Sequence, residues 1–168
     1  MSRSHSGETA EICLKGHFHI ARDGSWHHEG RPIHRQALVK LFSTILKREG
    51  DRYFLVTPGE KVPVSVACCP FIAVSTWRDD NQQIFIRTNV DDVVAVNANN
   101  TQLHVLDESG QSIPKAEVRD GLFALLSRNA YYQWVEWAKI KDNNGVLEFV
   151  VHSGNNEISL GHIHENSF

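Results

Sequence analysis

The spacing of apolar and polar positions changes period several times along this chain, and most changes fall at Gly or Pro. Phe18-His19-Ile20 alternates with period two and breaks at Asp23-Gly24, which predicts a short strand and a turn. From Pro32 onward, Ile33, Ala37, Leu38, Leu41, Phe42, Ile45 and Leu46 recur at three- and four-residue steps. That spacing makes one helix face, with Pro32 in a first turn that needs no N–H there and Gly50 as the stop. Residues 53–56 and 61–66 read as a hairpin across Thr57-Pro58-Gly59-Glu60, and Pro70 marks a joint. Residues 71–77 with 83–87, and 93–96 with 102–106, read as two further hairpins. A second helix is predicted from Pro114 through Val118, Leu122, Leu125 and Leu126. Ala130, Tyr131, Trp134, Val135, Trp137 and Ala138 extend it to about Ile140, and Asn143-Asn144-Gly145 ends it. The last hairpin runs from Phe149-Val150-Val151 around Gly154 to residues 158–160, and residues 161–168 read as a polar tail.

Read as a whole, the pattern occurs twice. Leu103-His104-Val105, a turn ending at Gly110, and the stretch from Pro114 with Leu122-Phe123 at its heart repeat the order seen from Phe18 to Phe42. Each copy then runs into a hairpin. The predicted fold is α+β by domain duplication, each half an antiparallel sheet segment with one covering helix, the second helix longer. Residues 1–16 are expected to be a disordered tail and lead-in, 17–69 an N-terminal unit, and 70–168 a C-terminal unit. A repeat makes an interface between like units, and interfaces are where pockets form.

Composition narrows the partners rather than the fold. A chain of 168 residues, 41% hydrophobic and 22% charged, can bury one core or two small ones sharing a boundary. A net charge of -3 gives no general attraction to nucleic acid or anionic lipid. Residues 1–9 are polar rather than signal-like, and no apolar run reaches the length of a membrane span. Two of the three cysteines are adjacent, so no disulfide framework is implied and a cytoplasmic location is expected.

Arg35 and Lys61 are candidate anion ligands in the first copy, and Arg128 is the matching cation in the second. Helix N-terminal N–H groups near Pro32 would add donors. The alternative is that these are solvated face charges. Trp26 and Tyr132 offer flat faces for a ring, or pack the core with Tyr131, Trp134 and Trp137. Thr57 and Ser153 occupy equivalent turns and could supply hydroxyls, although Ser153-Gly154-Asn155-Asn156 is also a plain hairpin turn. Ten histidines include His17 with His19, His27-His28, and His162 with His164; a closed metal site would still need a fourth ligand, so neither metal nor cofactor is expected. Cys68-Cys69 would form only a strained ring on oxidation and reads as two small buried side chains at the joint. There is no nucleophile elbow, phosphate-binding glycine loop or dinucleotide fingerprint.

Several segments together resemble a bacterial family catalogued as a domain of unknown function, number 1285. They are Asp23-Gly24-Ser25-Trp26, Pro32-Ile33 with Arg35, Leu38-Val39 with Leu41-Phe42, Tyr53-Phe54-Leu55-Val56-Thr57-Pro58 with Glu60-Lys61, and Pro70-Phe71. Gly121-Leu122 with Ala124, Arg128, Tyr131-Tyr132 and Ser153-Gly154 follow in order. The chain departs from the family pattern at Cys68-Cys69, where an acidic residue is expected before Pro70. The resemblance implies duplicated α+β units, a C-terminal half loosely similar to pleckstrin-homology folds, and a nucleotide-like ligand between the halves in a signalling role. The expected function is thus non-catalytic binding of a small anionic molecule in that cleft by Arg35, Lys61, Arg128, Trp26, Tyr132, Thr57 and Ser153. One alternative is a protein-interaction module with an exposed apolar patch around Trp134 and Trp137. Another is an enzyme on a nucleotide-derived substrate, with Glu60 and His28 as the acid–base candidates.

Overall fold

Five three-stranded antiparallel meanders, joined in turn by loops and two helices, make up the chain in the computed structural model, which describes residues 14–105 and 111–164. The first holds β1 (Phe18–Ile20), β2 (Trp26–His28) and β3 (Arg31–Pro32). Helix α1 (Gln36–Ile45) leads to β4 (Leu46–Glu49), β5 (Arg52–Val56) and β6 (Lys61–Val66). Next come β7 (Phe71–Arg78), β8 (Ile84–Thr88) and β9 (Val93–Ala95), then β10 (Thr101–Val105), β11 (Ser112–Arg119) and β12 (Leu122–Leu126). Helix α2 (Arg128–Trp137) precedes β13 (Lys139–Asn143), β14 (Val146–Ser153) and β15 (Asn156–His164).

Two parallel pairings weld four meanders into two sheets. β1 runs beside β6 with Phe18 opposite Val64, giving the order β3-β2-β1-β6-β5-β4. β12 runs beside β7 with Ala124 opposite Phe71, giving β10-β11-β12-β7-β8-β9. The fold is α+β with two mixed six-stranded sheets, so the expectation of purely antiparallel segments is corrected; β13-β14-β15 is a third, antiparallel sheet.

The first helix exists where the periodicity put it but starts later. Pro32 pairs with His27 as part of β3, and Arg35 is the extended residue that caps α1. The second helix is corrected more strongly. Residues 114–126, read as helical, form β11 and β12 around a turn at Asp120 (φ 46) and Gly121 (φ 77). Both positive φ values belong to a type I′ hairpin, which Asp-Gly favours. All five residues of β12 are buried because it is an interior strand between β11 and β7. Leu122, Ala124 and Leu126 face the main core, while Phe123 and Leu125 pack on Cys69 behind it. A strand covered on both faces reads as a continuous apolar run, which mimics a helix. The true helix starts at Arg128, where the Ser127 hydroxyl accepts the Ala130 N–H at 3.2 Å, and it ends at Trp137, leaving Ile140 in β13.

Two other expectations change. β9 and β10 lie at opposite edges of their sheet and do not form a hairpin. Residues 161–164, read as tail, complete β15. Residues 1–9, read as disordered, lie outside the described residues.

One continuous apolar core joins both units: Phe18, Ile20, Trp26, Phe42 and Leu55 from the first, and Phe71, Ile84, Ile86, Leu126 and Trp134 from the second. Polar contacts reinforce the junction. The Gln36 amide donates to Asn89 O at 2.8 Å, and Asn89 Nδ2 donates to Gly24 O at 3.2 Å. Arg119 donates to Ser43 O at 2.6 Å and Arg48 to Gly121 O at 2.9 Å. Lys40 of α1 pairs with Asp91. Among the described residues no helix is long and apolar enough to cross a membrane.

Candidate functional site

Alternation on β1, β2 and β6 sends Phe18, Ile20, Trp26 and Val64 inward and leaves their neighbours facing out. The register sets His19 opposite both His27 on β2 and Ser65 on β6. A polar row therefore crosses three adjacent strands. The Ser65 hydroxyl lies 2.6 Å from His19 Nδ1 and 3.3 Å from His17 Nε2, and the His19 and His27 rings are 6.2 Å apart. His17 is held by its own N–H, which donates to Glu29 Oε1 at 2.8 Å. At the far end, the Ser25 hydroxyl meets His27 Nε2 at 3.0 Å and donates to Asp23 at 2.6 Å. That hydroxyl and the Ser25 N–H hold the Asp23 carboxyl below the usual carboxylate range, with His27 helping.

Beside this row is a groove of about 330 Å³ lined by His17, Asp51, Arg52, Tyr53, Pro63 and Ser65, with Val64 and Val66 completing the wall. It takes its residues from the lead-in to β1, the β4–β5 turn, β5 and β6. Desolvation raises the Tyr53 phenol, opposed by Arg48, whose guanidinium lies 5.7 Å from the ring centre, so the phenol stays a proton donor at neutral pH. Arg52 stacks 5.2 Å from the Phe54 ring and makes no ion pair among the described residues. Donors from Arg52, Ser65 and His17 thus line the outward face of this groove, with Asp51 the only carboxylate among the lining residues, while Tyr53, paired with inward-facing Val64, turns its phenol toward the core side. Neither the spacing of Arg52 nor that of Ser65 marked them beforehand. The alternating His17-Phe18-His19 was the one signal pointing to this face.

The residues singled out from sequence do not gather there. Arg35 and Arg128 are exposed at the starts of α1 and α2. The Lys61 ammonium is 2.7 Å from Glu49 and 4.5 Å from the Phe54 ring centre. Trp26 is 1% exposed and stacks on Phe42, whereas Tyr132 is 56% exposed. Thr57 Oγ1 accepts the Glu60 N–H at 3.1 Å within its turn. Ser153 is fully buried, accepting from Ile84 N at 2.9 Å and donating to Val96 O at 2.5 Å. Glu60 and His28 bind the lead-in, through Leu14 N at 3.1 Å and Lys15 O at 2.5 Å.

A second groove, of about 380 Å³, lies within the C-terminal unit between α2 and β15, with Tyr131, Val135, Phe149 and Leu160 on its walls. Of the two tryptophans around which an apolar patch is expected, Trp134 is fully buried and donates to Thr76 Oγ1 at 2.9 Å, and Trp137 has Arg78 4.4 Å from its ring centre, while Val135 and Ile140 beside them are exposed. Among the described residues no group of three or more His, Cys, Asp or Glu is placed to hold a metal ion.

Comparison with known proteins gives two family matches. "Domain of unknown function (DUF1285), N-terminal domain" matches residues 9–68, and "Protein of unknown function (DUF1285), C-terminal domain" matches residues 70–160. A DUF1285 family protein from Silicibacter pomeroyi DSS-3 is 35% identical, with a TM-score of 0.77 over 88% of this chain and 81% of that one. A second, from Shewanella baltica OS155, is 29% identical, with a TM-score of 0.59 over 71% of this chain and 90% of that one. No curated protein matches.

Proposed function

Starting from the fact that this chain belongs to the DUF1285 family, we propose that it binds a small anionic molecule, without turning it over, in the groove beside the histidine row. The observation that carries the reading is the convergence of three kinds of donor on one outward face: Arg52, Ser65 and His17. A guanidinium fork suits a carboxylate or phosphate, and the Ser65 hydroxyl and the His17 ring fix its orientation. Pro63 gives an apolar surface for a flat portion, so a nucleotide-like ligand fits the chemistry. The role is regulatory: occupancy is signalled through β6, which leads straight into the joint between the units.

Calorimetric titration with inorganic phosphate, nucleotides, nucleotide-sugars and cyclic dinucleotides tests this. Arg52→Ala is expected to weaken binding by about 10- to 150-fold, the worth of a hydrogen bond to a charged group. Equal weakening by Arg35→Ala with none by Arg52→Ala would move the ligand to the junction between units. The 2.6 Å approach of Ser65 to His19 favours a second reading, a nucleophilic serine. Hydrolysis of an activated ester that disappears in Ser65→Ala would establish it; hydrolysis equal to buffer would dismiss it.

The same reading takes the halves as duplicates. The order β–β–β–α–β–β–β runs from β1 to β6 and again from β10 to β15, which supports a shared origin. A superposition no better than that of unrelated α+β segments would contradict it.

A further inference from the structure

Away from the groove, the segment joining β6 to β7 brings three reactive groups together. Cys68 Sγ lies 3.4 Å from His104 Nε2 and 3.7 Å from Cys69 Sγ. The pairings His104–Ile113, Lys115–Leu125 and Leu125–Ile72 put His104, Lys115 and Leu125 on the face of the second sheet that looks away from the main core. There Cys69, Phe123 and Leu125 form a small apolar cluster, with Cys68, Ile72 and Ile113 at its edge. Cys69 is buried, whereas Cys68 is half-buried and so open to a small reagent.

We propose that Cys68 is a modification site, a nucleophilic thiol that gives its proton to His104 and is oxidised by peroxides. The groups around the pair set the route of that proton. Burial, then Lys115 and Arg22, push the His104 imidazole down, so the ring is neutral at pH 7 and takes the thiol proton only in passing, as a shuttle to the leaving oxygen rather than as a lasting imidazolium. The same two cations lie close to that ring, which touches the Cys68 sulphur, and so stand near the charge that develops as the sulphur attacks. Burial and the neighbouring Cys68 push the Cys69 thiol up to about 12, against Lys115 and Arg48, so Cys69 keeps its hydrogen. Beside a Cys68 thiolate it is the donor. The protonated Tyr53 phenol also lies near the two thiols. Unlike a typical buried structural thiol, then, Cys68 has exposure, a base in contact and cations nearby, while Cys69 has none of the first two.

The step balances without further reagents. His104 takes the thiol proton and the thiolate attacks one peroxide oxygen. The O–O bond breaks and an S–O bond forms, so sulphur gives up an electron pair. The leaving oxygen collects the proton from His104 as water or an alcohol, and Cys68 becomes a sulfenic acid.

The test uses the full chain with Cys13→Ser, leaving Cys68 and Cys69 as the only thiols. Iodoacetamide rates at pH 7, and sulfenic-acid trapping after hydrogen peroxide, are read by mass spectrometry. One label per chain is expected, absent in Cys68→Ser and kept in Cys69→Ala. Its rate should exceed that of a cysteine in an unstructured peptide by about tenfold or more, with His104→Gln removing most of the gain. Lys115→Gln, outside the contact pair, should slow it less, and added salt should slow the parent protein. Labelling at Cys69, a rate equal to that of the peptide, or a rate unaffected by salt, by Lys115→Gln and by His104→Gln would overturn the proposal.

Discussion

Replacing Ser153 by Ala separates two roles that its place in a turn leaves open. The hydroxyl is fully buried and makes three contacts: it donates to Val96 O at 2.5 Å and accepts from Ile84 N at 2.9 Å and Gln83 Nε2 at 2.7 Å. Through them the β14–β15 hairpin is fixed to the start of β8 and the end of β9. Alanine leaves Gln83 bonded to Val96 O at 2.8 Å but leaves the Ile84 N–H without a partner, in a residue with no exposed surface. An orphaned buried donor costs about 1–3 kcal/mol, and the lost bond to Gln83 about 0.5–1.5 more. The expected loss is about 2–4 kcal/mol, a fall in Tm of roughly 5–15 °C for a chain of this size. Thr57→Ala is the control: its hydroxyl serves an exposed turn that also keeps the Thr57 N–H to Glu60 O bond at 2.9 Å, so about 0.5 kcal/mol or less is expected. Urea unfolding with an unchanged m-value measures both. Equal effects within about 0.5 kcal/mol would refute the assignment of Ser153 as a buried clamp.

Three further outcomes follow from the junction and the core. Gly24 has φ +84, and a Cβ there would lie 2.7 Å from Ile72 Cγ1, so Gly24→Ala should cost about 2–4 kcal/mol in thermal unfolding. Lys40 holds the Asp91 carboxyl below its ordinary 3.8, so the unfolded chain binds the proton more readily. That contribution is complete above the unfolded value and lost as pH falls through the folded one, and Asp91→Asn should flatten the acid limb of a Tm-against-pH curve. Trp134→Phe removes the donor to Thr76 Oγ1 and part of a fully buried ring, and should lower stability by about 1–3 kcal/mol without changing ligand affinity at the groove.

Sequence periodicity located the strands that alternate and α1, whose Val39 and Phe42 form its buried stripe. It failed where burial erased the alternation. The Leu122–Leu126 run carries no period because both faces of β12 are covered. The Asp120-Gly121 turn and the Ser127 cap were local signals that would have split that stretch into strand, strand and helix. The pairing of β12 with β7, and the separation of β9 from β10, depend on long-range register that no local pattern encodes. The groove was hidden for the same reason. His17, Arg52 and Ser65 are far apart in sequence and meet only through the parallel β1–β6 pairing and the β5–β6 hairpin. Trp26 and Ser153 looked like ligand groups because their residue types suit binding; burial turned both into structural parts.

The most direct measurement is a two-dimensional amide NMR titration of the full chain with the anionic panel. Binding at the groove predicts that the anion shifts the signals of His17, Arg52, Tyr53 and Ser65 in a saturable way and leaves Arg35, Arg128 and Tyr132 in place. Shifts gathered at Arg35, Arg128 and Tyr132, with the groove silent, would contradict it.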